Sequence, residues 1–212
     1  EAEMDAQARM RHVLEIDLRN ALARDELDVH YQVIVDVATR MPSGVEALVR
    51  WQHPVHGFIG PDRFVPLAEH SGMIRQFTLH VIQQALRDRI VMRQVLPDAT
   101  VSVNLSRRNL MDRGLVRDIE RALTVRGVDP RELVLEVTET ASAHDQYATE
   151  QVLTDLRDLG CALAMDDFGS GYATFESIHG GRVPISEIKI DRAFIRDLSA
   201  SDRDRQLVAS MI

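Results

Sequence analysis

The sequence predicts an α/β fold built on a mainly parallel sheet, of the kind that curls into a (β/α) barrel. Short apolar, β-branched runs alternate with helical patterns along most of the 212 residues, as repeated βαβ units require. Roughly six such runs can be counted, where a closed barrel needs eight. Polar residues recur where these runs end, and in a barrel the C-terminal strand ends converge on the face that carries active sites.

Residues from about Asp5 to Arg24 place Met10, Val13, Leu14, Leu18, Ala21 and Leu22 at helical spacing, giving an amphipathic helix. Leu27–Val37 and Val45–Trp51 read as two strands joined by a turn carrying Pro42 and Gly44. His53–Gly60 reads as a loop. Pro61 starts a short helix ending near Ser71 and Gly72, and Arg75–Leu96 forms a longer one stopped before Pro97. Thr100–Leu105 is a strand ending near Asn104. Asp112–Arg126 is a helix stopped by Gly127, and Glu132–Thr138 a strand with Glu136 and Glu139 near its C-terminal end. Gln146–Leu159 is a helix stopped by Gly160 that leads into the apolar run Cys161–Met165. Ile185–Ile190 is a further strand, carrying Lys189 and followed by Asp191, and Asp202–Ile212 begins another helix.

A net charge of −8 argues against a DNA or RNA polymer as partner, because phosphate backbones are met by an excess of Lys and Arg. No apolar run approaches the roughly 20 residues needed to span a bilayer, so a cytoplasmic domain is expected. The single cysteine, Cys161, lies inside a strand-like run and is expected to be a buried apolar thiol.

Asp166 and Asp167 are adjacent where the apolar run gives way to Gly169 and Gly171. Neighbouring acids repel, so a cation or a basic group between them is expected; the alternative is that Asp166 caps a turn and Asp167 is solvated. A metal site gains support from the set as a whole. Glu46, Asn104, Glu136 and Asp166 offer carboxylate and amide oxygens, a hard donor set suited to Mg²⁺ or Mn²⁺. Asp166 and Asp167 together could bridge to a second ion, as in two-metal phosphoester hydrolysis. Lys189 would orient water or offset developing charge, and Arg50 would meet a phosphate with its planar fork. The histidines carry no selecting pattern: His53 and His56 fall beside Pro54 and Gly57, so surface or turn roles are expected for them.

These residues resemble one family, the EAL domain, the bacterial phosphodiesterase of cyclic di-GMP signalling. The resemblance rests on Glu46-Ala47-Leu48 within EALVRWQHP, followed by GFIGPDRFVPLAEHSGMI. It extends through YQVIVD (Tyr31–Asp36), SVNLS (Ser102–Ser106), LEVTET (Leu135–Thr140), MDDFGSGY (Met165–Tyr172) and KIDRAFI (Lys189–Ile195). It implies a TIM-like (β/α)8 barrel with an antiparallel first strand, and hydrolysis of cyclic di-GMP to linear pGpG. By the same resemblance Glu46, Asn104, Glu136 and Asp166 are metal ligands, Asp167 serves a second Mg²⁺ or Mn²⁺, and Lys189 lies near the attacking water. Gln32 and Arg50 resemble substrate contacts, and Glu139 the glutamate that steadies the DFGSGY loop. That loop is also associated with dimer contacts, so the resemblance admits a homodimer. A cyclic di-GMP receptor that binds without hydrolysis is the competing reading, and a purely structural dimerisation module a weaker third.

Three departures accompany the resemblance. Val33 stands where the family has proline, the HGGRVP segment is about two residues longer than usual, and the chain ends at Ile212 before the later EGVE-type motif. The last barrel strands are therefore expected to be absent, with residues 1–24 a linker helix from an upstream GGDEF or sensory domain and residues 25–212 an incomplete EAL domain. The parent, which a missing domain could tether to a membrane, is expected to be an active phosphodiesterase. A chain truly ending at Ile212 is expected to have little activity.

Overall fold

The computed structural model describes residues 2–24, 26–138, 146–169, 185–196, 198, 205, 206, 208 and 209, with side chains from residue 9 onward and excluding that of residue 146. The order is α1 (Ala2–Ala21), β1 (Leu27–Val35), β2 (Pro42–His53), β3 (Gly57–Ile59), α2 (Pro61–His70), α3 (Ile74–Met92) and β4 (Thr100–Leu105). It continues through α4 (Arg113–Arg126), β5 (Leu133–Thr138), α5 (Gln146–Leu159), β6 (Ala162–Phe168), β7 (Glu187–Ile190) and α6 (Arg192–Arg196), with 3-10 turns at Asn109–Met111 and Pro130–Glu132. Among the described residues the strands form one sheet in the order β1-β2-β4-β5-β6-β7, with β3 as a short hairpin partner of β2. β1 is antiparallel to β2, and β2, β4, β5, β6 and β7 run parallel. This is the mostly parallel α/β arrangement of a TIM-like barrel, with the antiparallel first strand expected above.

The long helices follow the strand order, each touching the next from α1 to α5, so they form a layer over the sheet. Alternation along the strands decides what faces them. Val45, Ala47, Val49 and Trp51 of β2 are buried, as are Val101, Val103 and Leu105 of β4 and Leu133, Leu135 and Val137 of β5. Trp51, Phe64 and Phe77 stack edge to face, at ring separations of 5.8 and 5.7 Å, and join β2 to α2 and α3. Leu14, Leu18 and Ala21 of α1 belong to the same core. Asp112 caps α4 by accepting from the Gly114 N–H, and Gly127 ends it at φ 61°, where a side chain would be strained. Gly44 allows β2 to approach β4, since a Cβ there would lie 2.7 Å from Thr100 Oγ1.

Several expectations are corrected. The segment His53–Gly60 is not wholly a loop: Gly57, at φ 65°, turns the chain so that β3 pairs with the end of β2. His53 holds a turn role but is not on the surface. It is 5% exposed beneath α1, with Nε2 3.2 Å from Asp17 Oδ2 and Nδ1 accepting from the Val55 and His56 N–H groups. Both ring nitrogens are thus engaged within the fold. The expected helix Arg75–Leu96 ends at Met92, where the backbone passes into turns, Gln94 N–H donating to the Val91 carbonyl and Leu96 N–H to that of Met92, and a side chain supports the connection. β6 runs on past Met165 to Phe168, so both adjacent acids lie in the strand, and not beyond it. Cys161 is buried as expected, and burial pushes its thiol up to about 12.

That side-chain support comes from Arg89, on the last turns of α3. It is fully buried and donates to the carbonyls of Leu96 and Pro97 while pairing with Glu132. Arg93 forms a second bond to Glu132 and is the main reason that this carboxyl lies below the usual glutamate range; burial opposes the shift, and the charges of Arg89 and Arg93 add to it. A depressed carboxyl pKa contributes stability above the unfolded value and loses it as pH falls through the folded one. The melting-temperature gap between the native chain and Glu132→Gln should therefore be full at pH 7 and shrink below about pH 4.3. Thermal melts from pH 7 to 3 check this; a gap that stays constant would remove the charged pair as its cause.

Candidate active site

Strand register brings the polar residues together. Glu46 lies opposite Gln32, Asn104 beside Glu136, and Asp166 beside Thr138, two positions along from Glu136. Side chains alternate along strands, so Gln32, Glu46, Asn104, Glu136 and Asp166 share the sheet face that the helices do not cover.

Lys189, on β7, closes the group. Its Nζ donates to Glu136 Oε2 at 2.7 Å and to Glu46 Oε2 at 2.9 Å, and stands 3.5 Å from Asp166 Oδ1. Asn104 Nδ2 donates to Glu46 Oε1 at 3.0 Å. Glu136 is 1% exposed, and burial raises its pKa, with Glu46 and Asp166 adding to the effect and Lys189 opposing it. Burial works to lower the Lys189 pKa, but its hydrogen bonds to Glu136 and Glu46 outweigh this and hold it above the usual lysine value. The ammonium stays charged, so its chemistry is that of a donor and counter-charge.

Asp167 reaches this group through a defect in the strand. Between Met165 and Phe168 β6 advances three residues while β7 advances two, from Ile188 to Ile190, which makes a bulge. Asp167 sits in it at φ 53°, a left-handed conformation uncommon for a residue other than glycine. In a regular strand, Asp167 would point away from Asp166. Here its carboxyl is raised by burial and then by Asp166 and Asp191, with Lys189 opposing, so it shares their field.

Among the described residues the acids do not close around one point as a three-ligand cluster; the Lys189 ammonium stands between three of them. The chemistry of the set nevertheless fits hard divalent cations. All the donors are oxygen, and four carboxylates, Glu46, Glu136, Asp166 and Asp167, face a single ammonium. Burial is the main cause of the raised pKa values of Glu136 and Asp167, and the neighbouring acids add to it.

The substrate residues expected from sequence fall at the edge of this group. Gln32 is exposed on β1, and Arg50 lies four residues beyond Glu46 on β2, with Nη1 on the Val49 carbonyl. Glu139 lies outside the described residues, as do Ser170, Gly171 and most of the segment Asp202–Ile212. Sequence reasoning gave no role to Glu69, Ser106 or Arg107, which line a cavity beside Asn104. Their sequence neighbours signal only a helix end and a strand end, and the cavity exists through tertiary packing.

A family model described as "EAL domain" matches residues 15–212. The chain is 38% identical over 213 residues to the Pseudomonas aeruginosa protein named bifunctional diguanylate cyclase/cyclic di-GMP phosphodiesterase MucR, covering all of this chain and 31% of that protein. It is 40% identical over 200 residues to the cyclic di-GMP phosphodiesterase NbdA of the same organism, covering 94% of this chain and 25% of that protein. A solved structure described as the PaMucR phosphodiesterase in complex with c-di-GMP matches with a TM-score of 0.84 and 39% identity, over 93% of this chain and 79% of that one. The chain thus spans a third or less of the length of these two curated relatives, which are larger proteins. Among the described residues no helix is long and apolar enough to cross a membrane.

Proposed function

The chain belongs to the EAL domain family, and we propose that it hydrolyses cyclic di-GMP to linear pGpG on the face built around Lys189. The observation that carries this reading is the convergence of Glu46, Glu136 and Asp166 on one ammonium, on the sheet face that the helices leave open, with Asn104 bonded to Glu46. Relatives at 38% and 40% identity bear the name of this activity.

Glu46, Asn104, Glu136 and Asp166 would hold one Mg²⁺ or Mn²⁺, and Asp167 would help to hold a second. When bound, such cations supply charge to the phosphoryl oxygens and make water a better nucleophile. Arg50 and Gln32 orient the dinucleotide, Arg50 by the two-pronged contact that guanidinium makes with phosphate. Lys189 holds the attacking water and offsets the charge that grows on the phosphoryl group. Water oxygen bonds to phosphorus, the bond to O3′ breaks, and O3′ leaves with a proton, which opens the ring. Glu139 acts as a support for the loop that follows Asp167. A homodimer and a GGDEF or sensory partner domain remain part of this reading.

The test is conversion of cyclic di-GMP to pGpG with Mg²⁺ or Mn²⁺, after EDTA and after the cation is restored, with binding read by calorimetry on the same sample. Turnover lost in EDTA and regained with metal supports the hydrolase. Tight binding without turnover in either cation establishes the receptor instead, and neither binding nor turnover overturns both.

A further inference from the structure

β2 and β4 pair from Gly44–Ala47 against Thr100–Val103, and beyond that point the strands part into a fork. Asn104 and Leu105 are therefore paired on the β5 side alone. Glu46 lies opposite Ser102, so the Asn104 side chain has to lean back along the fork to reach it. That bond is exposed to water, which competes for both groups, and it does not by itself fix the amide. Glu136, by contrast, is paired with a strand on each side.

A buried amide fixes the end of β4 instead. Asn109 is 1% exposed, and its Oδ1 accepts from the Ser106 N–H at 2.9 Å and from the Thr78 hydroxyl of α3 at 3.1 Å. A backbone N–H can only donate, so the oxygen of Asn109, and not its NH2 group, faces this pair. The Asn109 N–H returns a bond to the Ser106 carbonyl and closes the turn after β4. One turn before Thr78 on α3, Arg75 reaches Asp112 at the far end of the same connection. The connection from β4 to α4 is thus tied to α3 at two points. Arg75 and Asp112 are exposed, whereas Thr78 and Asn109 are buried, so water competes at the first point and not at the second.

We propose that Asn109 is a positioning residue for hydrolysis: by joining the Ser106 N–H to Thr78 it sets the end of β4, and with it the Asn104 amide against Glu46. The proposal rests on the hydrolase reading above and adds to it a residue outside the acid group. A displacement of about 1 Å near reacting groups can cost about a hundredfold in rate, and Asn104 is the member of the group whose strand is open on one side.

The experiment measures kcat and KM with Mg²⁺ for Thr78→Val, which keeps the shape of the side chain without its hydroxyl, for Thr78→Ser, which keeps the hydroxyl, and for Asn109→Ala. The Asn104 side-chain amide is followed in parallel by heteronuclear NMR on the protein in EDTA. Thr78→Val and Asn109→Ala are expected to lower kcat by about tenfold to a hundredfold with KM little changed, and to shift or broaden the Asn104 signal, whereas Thr78→Ser keeps both near native. In an Asn104→Ala background the same changes should cost no further rate. A merely structural role would lower the melting temperature and leave the Asn104 signal in place. Thr78→Val removes a single bond and carries the test should Asn109→Ala fold poorly. Folded variants of an active chain that keep the native kcat, keep the Asn104 signal, or lose the same factor again in Asn104→Ala overturn the positioning role and leave the hydrolase standing. No turnover in the unsubstituted chain overturns the hydrolase, and with it any role in hydrolysis.

Discussion

Glu46→Gln is expected to lower cyclic di-GMP turnover by about a thousandfold, or ~4 kcal/mol of transition-state stabilisation. The substitution keeps size and shape but removes the one carboxylate that meets both Asn104 and Lys189. Its amide can still accept from Lys189, so the strands and the fold should be retained. What is lost is negative charge for cations, and weaker Mn²⁺ binding by calorimetry should accompany the lost rate. Lys189→Met provides the contrasting case. It leaves Glu136, buried and without its strongest counter-charge, and it should reduce turnover while leaving Mn²⁺ binding intact or stronger, since a positive charge has been withdrawn from among the acids. Native turnover in Glu46→Gln would remove this residue from the mechanism. Loss of Mn²⁺ binding in a folded Lys189→Met would contradict the role given to the lysine.

Arg89→Ala is expected to cost about 3–5 kcal/mol of folding stability, because it breaks a buried ion pair from one side. Arg89 has no solvent exposure and joins the end of α3, the Leu96–Pro97 connection and Glu132 ahead of β5. Its removal leaves two carbonyls and part of a carboxylate without their partner, although Arg93 still holds Glu132. Arg89→Met, which fills more of the space, should recover part of the loss. Urea unfolding of both variants and of Glu132→Gln gives the comparison, and the double variant Arg89→Ala/Glu132→Gln should cost less than the sum of the two single changes. A cost below about 1 kcal/mol for Arg89→Ala would mean that water replaces the guanidinium and that the site is not closed.

The elements that could be read from sequence were those whose signals are local. Gln146–Leu159 and Thr100–Leu105 have the expected bounds, because Gly160 stops the first and β-branched alternation marks the second. α4 has its expected stop at Gly127 and starts at Arg113, one residue later than expected, because Asp112 caps the helix through the Gly114 N–H. β3 escaped because three residues carry too little periodicity to show, and its pairing depends on where β2 lies. The end of α3 was overestimated because the chain leaves the helix through turns after Met92, ahead of Pro97, and the buried arginine that binds the Leu96 and Pro97 carbonyls leaves no periodic signal.

Residue type and order by themselves determined that polar groups recur at strand ends, which is why Asn104, Glu136, Asp166 and Lys189 could be singled out, and that Glu46 interrupts an apolar strand. A period of two fixes which face of a strand a residue occupies once the strand is found. Only the tertiary structure decided that Lys189 stands among three of those acids, that a bulge at Asp167 adds a fourth to their field, and that the fork between β2 and β4 brings Arg50, Glu69 and Arg107 to one cavity. These depend on inter-strand register and on the spacing of layers, which arise between segments far apart in the chain and leave no periodic trace within any one of them.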